Sequence, residues 1–166
     1  MNYISMTKAE IANGHGVRVA LWVSGCDHHC ENCQNPETWD CKAGKLFTED
    51  DFHKLMDELS LPYYNGLTLT GGDPLHPSNI NCIEYIVKKV KEVFTDKTIW
   101  CYTGYKFEDV KELNLMKYID VLIDGEYIDS LRDITLPFIG SPNQRIIDVP
   151  KTLQSNQIVL YNTKLI

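Results

Sequence analysis

VRVALWVSGCDHHCENCQNP, residues 17–36, joins an apolar, β-branched run to a loop holding three of the six cysteines in the chain. Val17 to Val23 reads as a strand buried on both faces, the pattern of a parallel sheet covered by helices. Next along the chain, FTEDDFHKLMDEL (47–59) has the spacing of a helix. Thr48 can cap it, Asp51 can reach back in a capping box, and Phe52, Leu55, Met56 and Leu59 share one face. GLTLT (66–70) is a second strand, and the helix after it carries Ile80, Ile83, Ile86, Val87, Val90 and Phe94 at helical spacing. TIWCY (98–102) is a third strand, KFEDVKEL (106–113) a helix and IDVLID (119–124) a fourth strand, with RIIDV (145–149) and QIVLY (157–161) as shorter strands. Strand and helix alternation demands right-handed crossovers and a parallel sheet, so the expected class is α/β. A complete eight-unit barrel takes about 250 residues. At 166 residues the chain supplies a partial, open β/α barrel in a single domain, 1–166, and the open side can admit something large.

Composition narrows the function. A hydrophobic fraction of 43% supports one proper core. The net charge of −7 is spread along the chain, which repels a phosphate backbone and anionic lipid and argues against nucleic acid as a partner. MNYISMTKAEIANG (1–14) has no basic segment followed by a long apolar stretch, and no run elsewhere approaches a membrane span. The expected location is the cytoplasm, where thiols stay reduced, so six cysteines point to metal binding or catalysis rather than to disulfides.

In folds of this kind chemistry collects at the carboxyl ends of the strands, which directs attention to the loop after the first one. Its three thiols, Cys26, Cys30 and Cys33, can converge on a soft metal centre, either zinc or an iron–sulfur cluster. A structural zinc site needs a fourth ligand, available from Cys41, His28 or His29. A cubane cluster needs one ligand per iron, so three cysteines leave one iron open to chemistry.

The spacing Cys26-x3-Cys30-x2-Cys33 directly after a first strand resembles the signature of the radical S-adenosylmethionine enzymes. Together with LTLTGGDPLHP (67–77), WCYTGY (100–105), DVLIDGEYIDSLRD (120–133) and IGSPNQRIIDVPKTL (139–153), it is similar, segment by segment, to the activating proteins of class III (anaerobic) ribonucleotide reductase, from Gly14 to Tyr161. The resemblance implies a [4Fe-4S] cluster on Cys26, Cys30 and Cys33 whose open iron is chelated by S-adenosylmethionine. One electron from the cluster then yields methionine and a 5′-deoxyadenosyl radical, which removes a hydrogen atom from a glycine of the reductase's large subunit. A low-potential donor such as flavodoxin or ferredoxin is implied as well. Two rival readings stand beside this one: an activator of another glycyl radical enzyme, of the pyruvate formate-lyase type, and a non-catalytic zinc-binding interaction module closed by Cys41.

What the resemblance implies for other residues is weighed against a plainer reading of each. Gly71 and Gly72 let the backbone approach a ligand, and their carbonyls with the Asp73 carboxylate can accept hydrogen bonds from the methionine ammonium, although Gly, Asp and Pro also make an ordinary turn. The family commonly has Glu where this chain has Asp73, which leaves open whether side chain or backbone meets the ligand. Asn32 replaces the aromatic residue that many radical S-adenosylmethionine enzymes carry before the third cysteine, and the backbone of Asn32, Cys33 and Gln34 supplies adenine contacts. Thr103 and Gly104 in YTGY are further cofactor contacts, with a plain turn as the alternative. Asp124 and the stretch Asn143, Gln144 and Arg145 receive no role, and Arg18 shapes the start of the first strand. His28 and His29 read as exposed loop residues, and Cys82 and Cys101 as small core residues.

Overall fold

The structure is a computed structural model that describes residues 1–164. Its strands are β1 (Asn2–Glu10), β2 (Arg18–Val23), β3 (Lys45–Leu46), β4 (Gly66–Gly71), β5 (Thr98–Tyr102), β6 (Val121–Asp124) and β7 (Arg145–Asp148). They form one open sheet in the order β3-β1-β2-β4-β5-β6-β7. The middle strands β2, β4, β5 and β6 are parallel, whereas β1 pairs antiparallel with β2 and β3, and β7 antiparallel with β6. The helices are α1 (Glu49–Leu59), α2 (Ile80–Val93), α3 (Phe107–Val110) and α4 (Val149–Ser155). The fold is mixed α/β.

The expected wholly parallel sheet is corrected at both ends. NYISMTKAE is β1, an outer strand with four of its nine residues exposed and only Tyr3 buried, so no apolar run announces it. β7 returns antiparallel because residues 125–144 lead back beside β6 without a crossover helix. RIIDV ends one residue early as a strand, since the Asp148 carboxylate accepts from Lys151 N and starts α4 at Val149. QIVLY forms only an isolated bridge, Leu160 to Ile147, and KFEDVKEL is helical only over Phe107–Val110.

Alternation along the strands assigns two faces. Val19, Leu21, Leu67, Leu69, Ile99 and Cys101 pack with Phe52, Leu55 and Leu59 of α1 and Ile83, Ile86, Val87 and Val90 of α2 in the main core. Burial on that scale stabilises by about 1.5–3 kcal/mol per large side chain. Cys82 packs against the same core, as its helical position implied. α1 carries the expected capping box, with Thr48 and Asp51 exchanging side-chain to backbone bonds. On the other face Trp100, Val121, Ile123 and Ile146 form a smaller cluster with Tyr102, Phe138, Ile139 and Tyr161. Arg18 anchors the start of β2 on this side. It is fully buried, and its guanidinium donates to the carbonyls of His15, Leu67 and Thr98 and to the Thr68 and Thr98 hydroxyls, while burial lowers its pKa to about 10.

Candidate functional site

The register of the parallel strands gathers their following loops at one end. Val23 lies opposite Gly71, so the loops after β2 and β4 begin side by side. Gly72 N donates to Val23 O at 2.8 Å, Asp73 N donates to Gly25 O at 2.8 Å, and the buried Asn79 amide spans the two loops by donating to Ser24 O and Asp73 O. Gly71 has φ +99°, and a Cβ there would sit 2.8 Å from Val23 O, so only glycine fits.

Cys26, Cys30 and Cys33 line one cavity of about 450 Å³, together with Gln34, Gly71, Gly72, Asp73, Thr103 and Gly104. Seven of the eight positions expected at the cofactor therefore share the cavity with the three thiols. The exception is Asn32, whose exposed side chain turns outward and donates to Asp129 Oδ2 at 2.8 Å. Burial pushes the Cys26 thiol up to about 11 and raises Cys30 as well, so without metal both are protonated at neutral pH, and metal binding would displace those protons.

The donor set, three thiols lining one cavity, fits an iron–sulfur cluster. Among the described residues no three His, Cys, Asp or Glu side chains are grouped tightly enough to hold one metal ion. Three thiols spread around a common cavity suit a multi-iron cluster, in which each iron takes its own thiolate. Cys41 stands outside the cavity lining, with its Sγ 3.9 Å from His76 Nδ1 and 3.6 Å from Ser78 Oγ, which weakens its case as a fourth ligand.

Asp73 joins three loops. Its carboxylate is 2% exposed and accepts from Leu75 N at 2.8 Å, Thr103 Oγ1 at 2.9 Å, Gly104 N at 3.0 Å and His28 Nε2 at 2.9 Å. A carboxylate offers about four lone-pair sites, and these four donors occupy them. The Asp73 carboxylate is thus committed to the loops around it, and Thr103 and Gly104 spend their donors on it.

His28 corrects the expectation of an exposed loop residue. Its side chain is only 12% exposed, and its second ring nitrogen, Nδ1, lies 2.9 Å from Glu126 Oε1. The Asp73 hydrogen bond, with Glu126 adding to it, raises the imidazole above its usual range. The ring packs on Tyr105 at 4.7 Å and directly over Gly104, where a Cβ would fall 2.4 Å from His28 Cδ2. Glycine at 104 is therefore a packing requirement of the histidine. His29 is exposed, as expected, with its ring against Trp39.

The late segment that had no role is a set of struts. Arg145 pairs with the buried Asp124 and with Glu108 at 2.7 Å, Asn143 donates to Glu126 O, and Gln144 bonds Gly125 O and Gly140 N. Asp124 also accepts from Phe107 N, so its role is to tie β6 to α3 and β7. Sequence reasoning missed Glu126, Tyr127, Trp22 and Asn13 among the cavity residues. Trp22 had a usable signal, since alternation along β2 puts it on the face opposite Leu21. Glu126 and Tyr127 had none beyond following a strand end.

A family model described as a 4Fe-4S single cluster domain matches residues 12–147. The anaerobic ribonucleoside-triphosphate reductase-activating protein of Enterobacteria phage T4 is 49% identical over 146 residues, covering 88% of this chain and 93% of the relative. The protein of that name from Haemophilus influenzae is 41% identical over 150 residues, covering 88% and 97%, and the one from Escherichia coli is 36% identical over 148 residues, covering 87% and 96%. With the cysteine-lined cavity inside the matched region, this chain belongs to the family of anaerobic ribonucleoside-triphosphate reductase-activating proteins.

Proposed function

We propose that the protein is an activase that installs a glycyl radical on the anaerobic ribonucleotide reductase, using a [4Fe-4S] cluster and S-adenosylmethionine. The observation that carries this reading is the convergence of Cys26, Cys30 and Cys33 with Gly71, Gly72, Thr103 and Gly104 around one cavity at the carboxyl ends of parallel strands. The open sheet is then a partial β/α barrel of the radical S-adenosylmethionine type, in one domain spanning 1–166, working in the cytoplasm with a flavodoxin or ferredoxin as electron source. When bound, the cluster supplies the electron that cleaves S-adenosylmethionine and so provides the radical for hydrogen-atom abstraction.

The chain's own residues bind and orient. Cys26, Cys30 and Cys33 would hold the cluster through three thiolates. The carbonyls of Gly71 and Gly72 would accept from the ammonium of the methionine end, because the glycines allow close approach and the Asp73 carboxylate is already saturated. Cys33 and Gln34, in the cavity lining, would border the adenine. His28, held between Asp73 and Glu126, walls the cavity from the groove beside it and limits water entry.

The test is anaerobic reconstitution with iron and sulfide, reduction, addition of S-adenosylmethionine and assay of 5′-deoxyadenosine, with Cys30→Ala as control. Product that vanishes in the control, followed by a glycyl radical signal in electron paramagnetic resonance of co-incubated reductase, is the expected result. A colourless protein with one tightly held zinc and no product would overturn the reading.

A further inference from the structure

Residues 126–141 form a loop over one side of the cavity, closed at its base by Ile128 N donating to Ser141 Oγ at 3.1 Å and Asp133 N donating to Gly140 O at 3.0 Å. Its two ends, Glu126 and Tyr127 on one side and Phe138, Ile139 and Gly140 on the other, line the cavity. Between them the chain exposes Ile128 (40%), Leu131 (46%) and Ile134 (83%) to solvent. Elsewhere among the described residues the exposed large apolar residues come singly or, as Leu61 and Tyr63, in a pair, whereas these three fall within seven positions of a loop whose ends line the cavity. Ile11, 71% exposed, directly precedes the cavity residues Ala12 and Asn13, so apolar side chains accompany the lining from two separate segments. Isolated apolar residues at a surface need no explanation, but a grouped set at the rim of a site marks contact with another macromolecule.

Two further features give the loop a purpose. Asp129, between Ile128 and Leu131, accepts from Asn32 Nδ2 at 2.8 Å and from Tyr127 Oη at 2.6 Å, so the exposed turn is tethered to the residue just before Cys33. Phe138 holds φ +65°, a conformation costly for a non-glycine residue and characteristic of segments whose shape serves a ligand. Part of the cavity wall is uncharged, formed by Ala12, Asn13, Trp22, Thr70, Tyr102 and Phe138. That surface carries no formal charge but offers the hydrogen-bonding side chains of Asn13, Thr70 and Tyr102, the last with its hydroxyl unpartnered, which suits a neutral polypeptide backbone.

We propose that the loop 126–140, through Ile128, Leu131 and Ile134, is the docking lip for the reductase polypeptide, and that it seats the chain flanking the target glycine at the cavity mouth. The proposal rests on the activase reading, which requires a protein backbone carbon to reach this cavity. The Asn32 to Asp129 tether then connects the docked partner to the loop that holds the cluster.

The test uses the full, reconstituted chain with Leu131→Asp and Ile134→Asp, singly and combined. Both side chains are solvent-facing and outside the cavity lining, so reductase-independent formation of 5′-deoxyadenosine should match the unsubstituted protein. The reductase concentration for half-maximal glycyl radical yield should rise about tenfold or more in the double variant, as expected on removing apolar anchors from an interface. Ile134→Leu should keep the original value. An unchanged half-saturation in the double variant overturns the docking assignment while leaving the activase reading intact. Failure of the unsubstituted protein to produce any glycyl radical on the reductase overturns the activase reading, and the docking lip with it.

Discussion

Replacing Asp73 by Asn separates a loop organiser from a cofactor ligand. The carboxylate receives four donors, two of them the backbone N–H groups of Leu75 and Gly104, and is almost wholly buried. An amide keeps the shape but offers one oxygen. If that oxygen stays on Leu75 N, the amide nitrogen meets Gly104 N, and if it stays on Gly104 N and His28, Leu75 N is orphaned. The Thr103 hydroxyl can rotate to accept, so the net loss is one buried N–H facing another donor, worth about 1–3 kcal/mol. At about 2–4 °C per kcal/mol for a chain of this size, the melting midpoint of the metal-free protein should fall by roughly 2–12 °C. Binding of S-adenosylmethionine to reconstituted protein, measured well below that midpoint, should change little, because the Asp73 oxygens have no acceptor site left for the ammonium. Loss of a direct charge-assisted bond would instead weaken binding by about 10- to 150-fold. An unchanged midpoint together with tenfold weaker binding would refute the reasoning and make the Asp73 side chain the ligand.

Further outcomes follow from the same geometry. Thr48→Ala removes the α1 cap and should cost about 1 kcal/mol in urea unfolding. Burial alone would raise the Asp51 pKa, but the Thr48 backbone and hydroxyl hydrogen bonds outweigh it and hold the group at about 2, below its ordinary 3.8. The stability it contributes is complete above the ordinary value and disappears as pH falls toward 2, so Asp51→Asn should lose stability at neutral pH and show a shallower acid limb. Arg145→Leu leaves the buried Asp124 without its cation and should cost about 3–5 kcal/mol, part of it recovered by adding Asp124→Asn. Gly104→Ala drives a methyl into the His28 ring. It should cost about 1–3 kcal/mol in melting experiments, with less iron retained per chain after reconstitution.

Much of this architecture was legible because the informative signals are local and repetitive. The parallel strands announce themselves as apolar runs, α2 by its isoleucine and valine stripe, and α1 by Thr48 and Asp51 at capping-box spacing. The elements missed are those whose pattern is set by tertiary pairing. β1 mixes polar and apolar residues because it is half-buried near the edge of the sheet, and β7 takes its direction from a loop with no repeating pattern. In the site, the meeting of Cys26, Cys30, Cys33, Gly71 and Gly72 at one cavity was readable because each follows the carboxyl end of a strand that the sequence announces. His28 was misread for the opposite reason. Its surroundings come from Asp73, Gly104, Tyr105 and Glu126, which lie 45 to 98 positions away and meet it only when the strands are in register.

That long-range convergence also says why the site is built on Asp73 and not on a freer acid. The cysteine loop, residues 24–35, has one internal backbone bond among the described residues, Cys33 N to Cys30 O, and carries no helix or strand. Left alone, such a loop would have to be ordered when metal and cofactor bind, at about 1–2 kcal/mol of backbone entropy per residue. The bonds from Gly25 to Thr38 and Asp73, from Cys26 to Trp39, and from His28 to Asp73 and Glu126 order it in advance, during folding. A carboxylate spent on this framework is unavailable to the ligand, but the glycine carbonyls beside it are held at fixed positions without further cost.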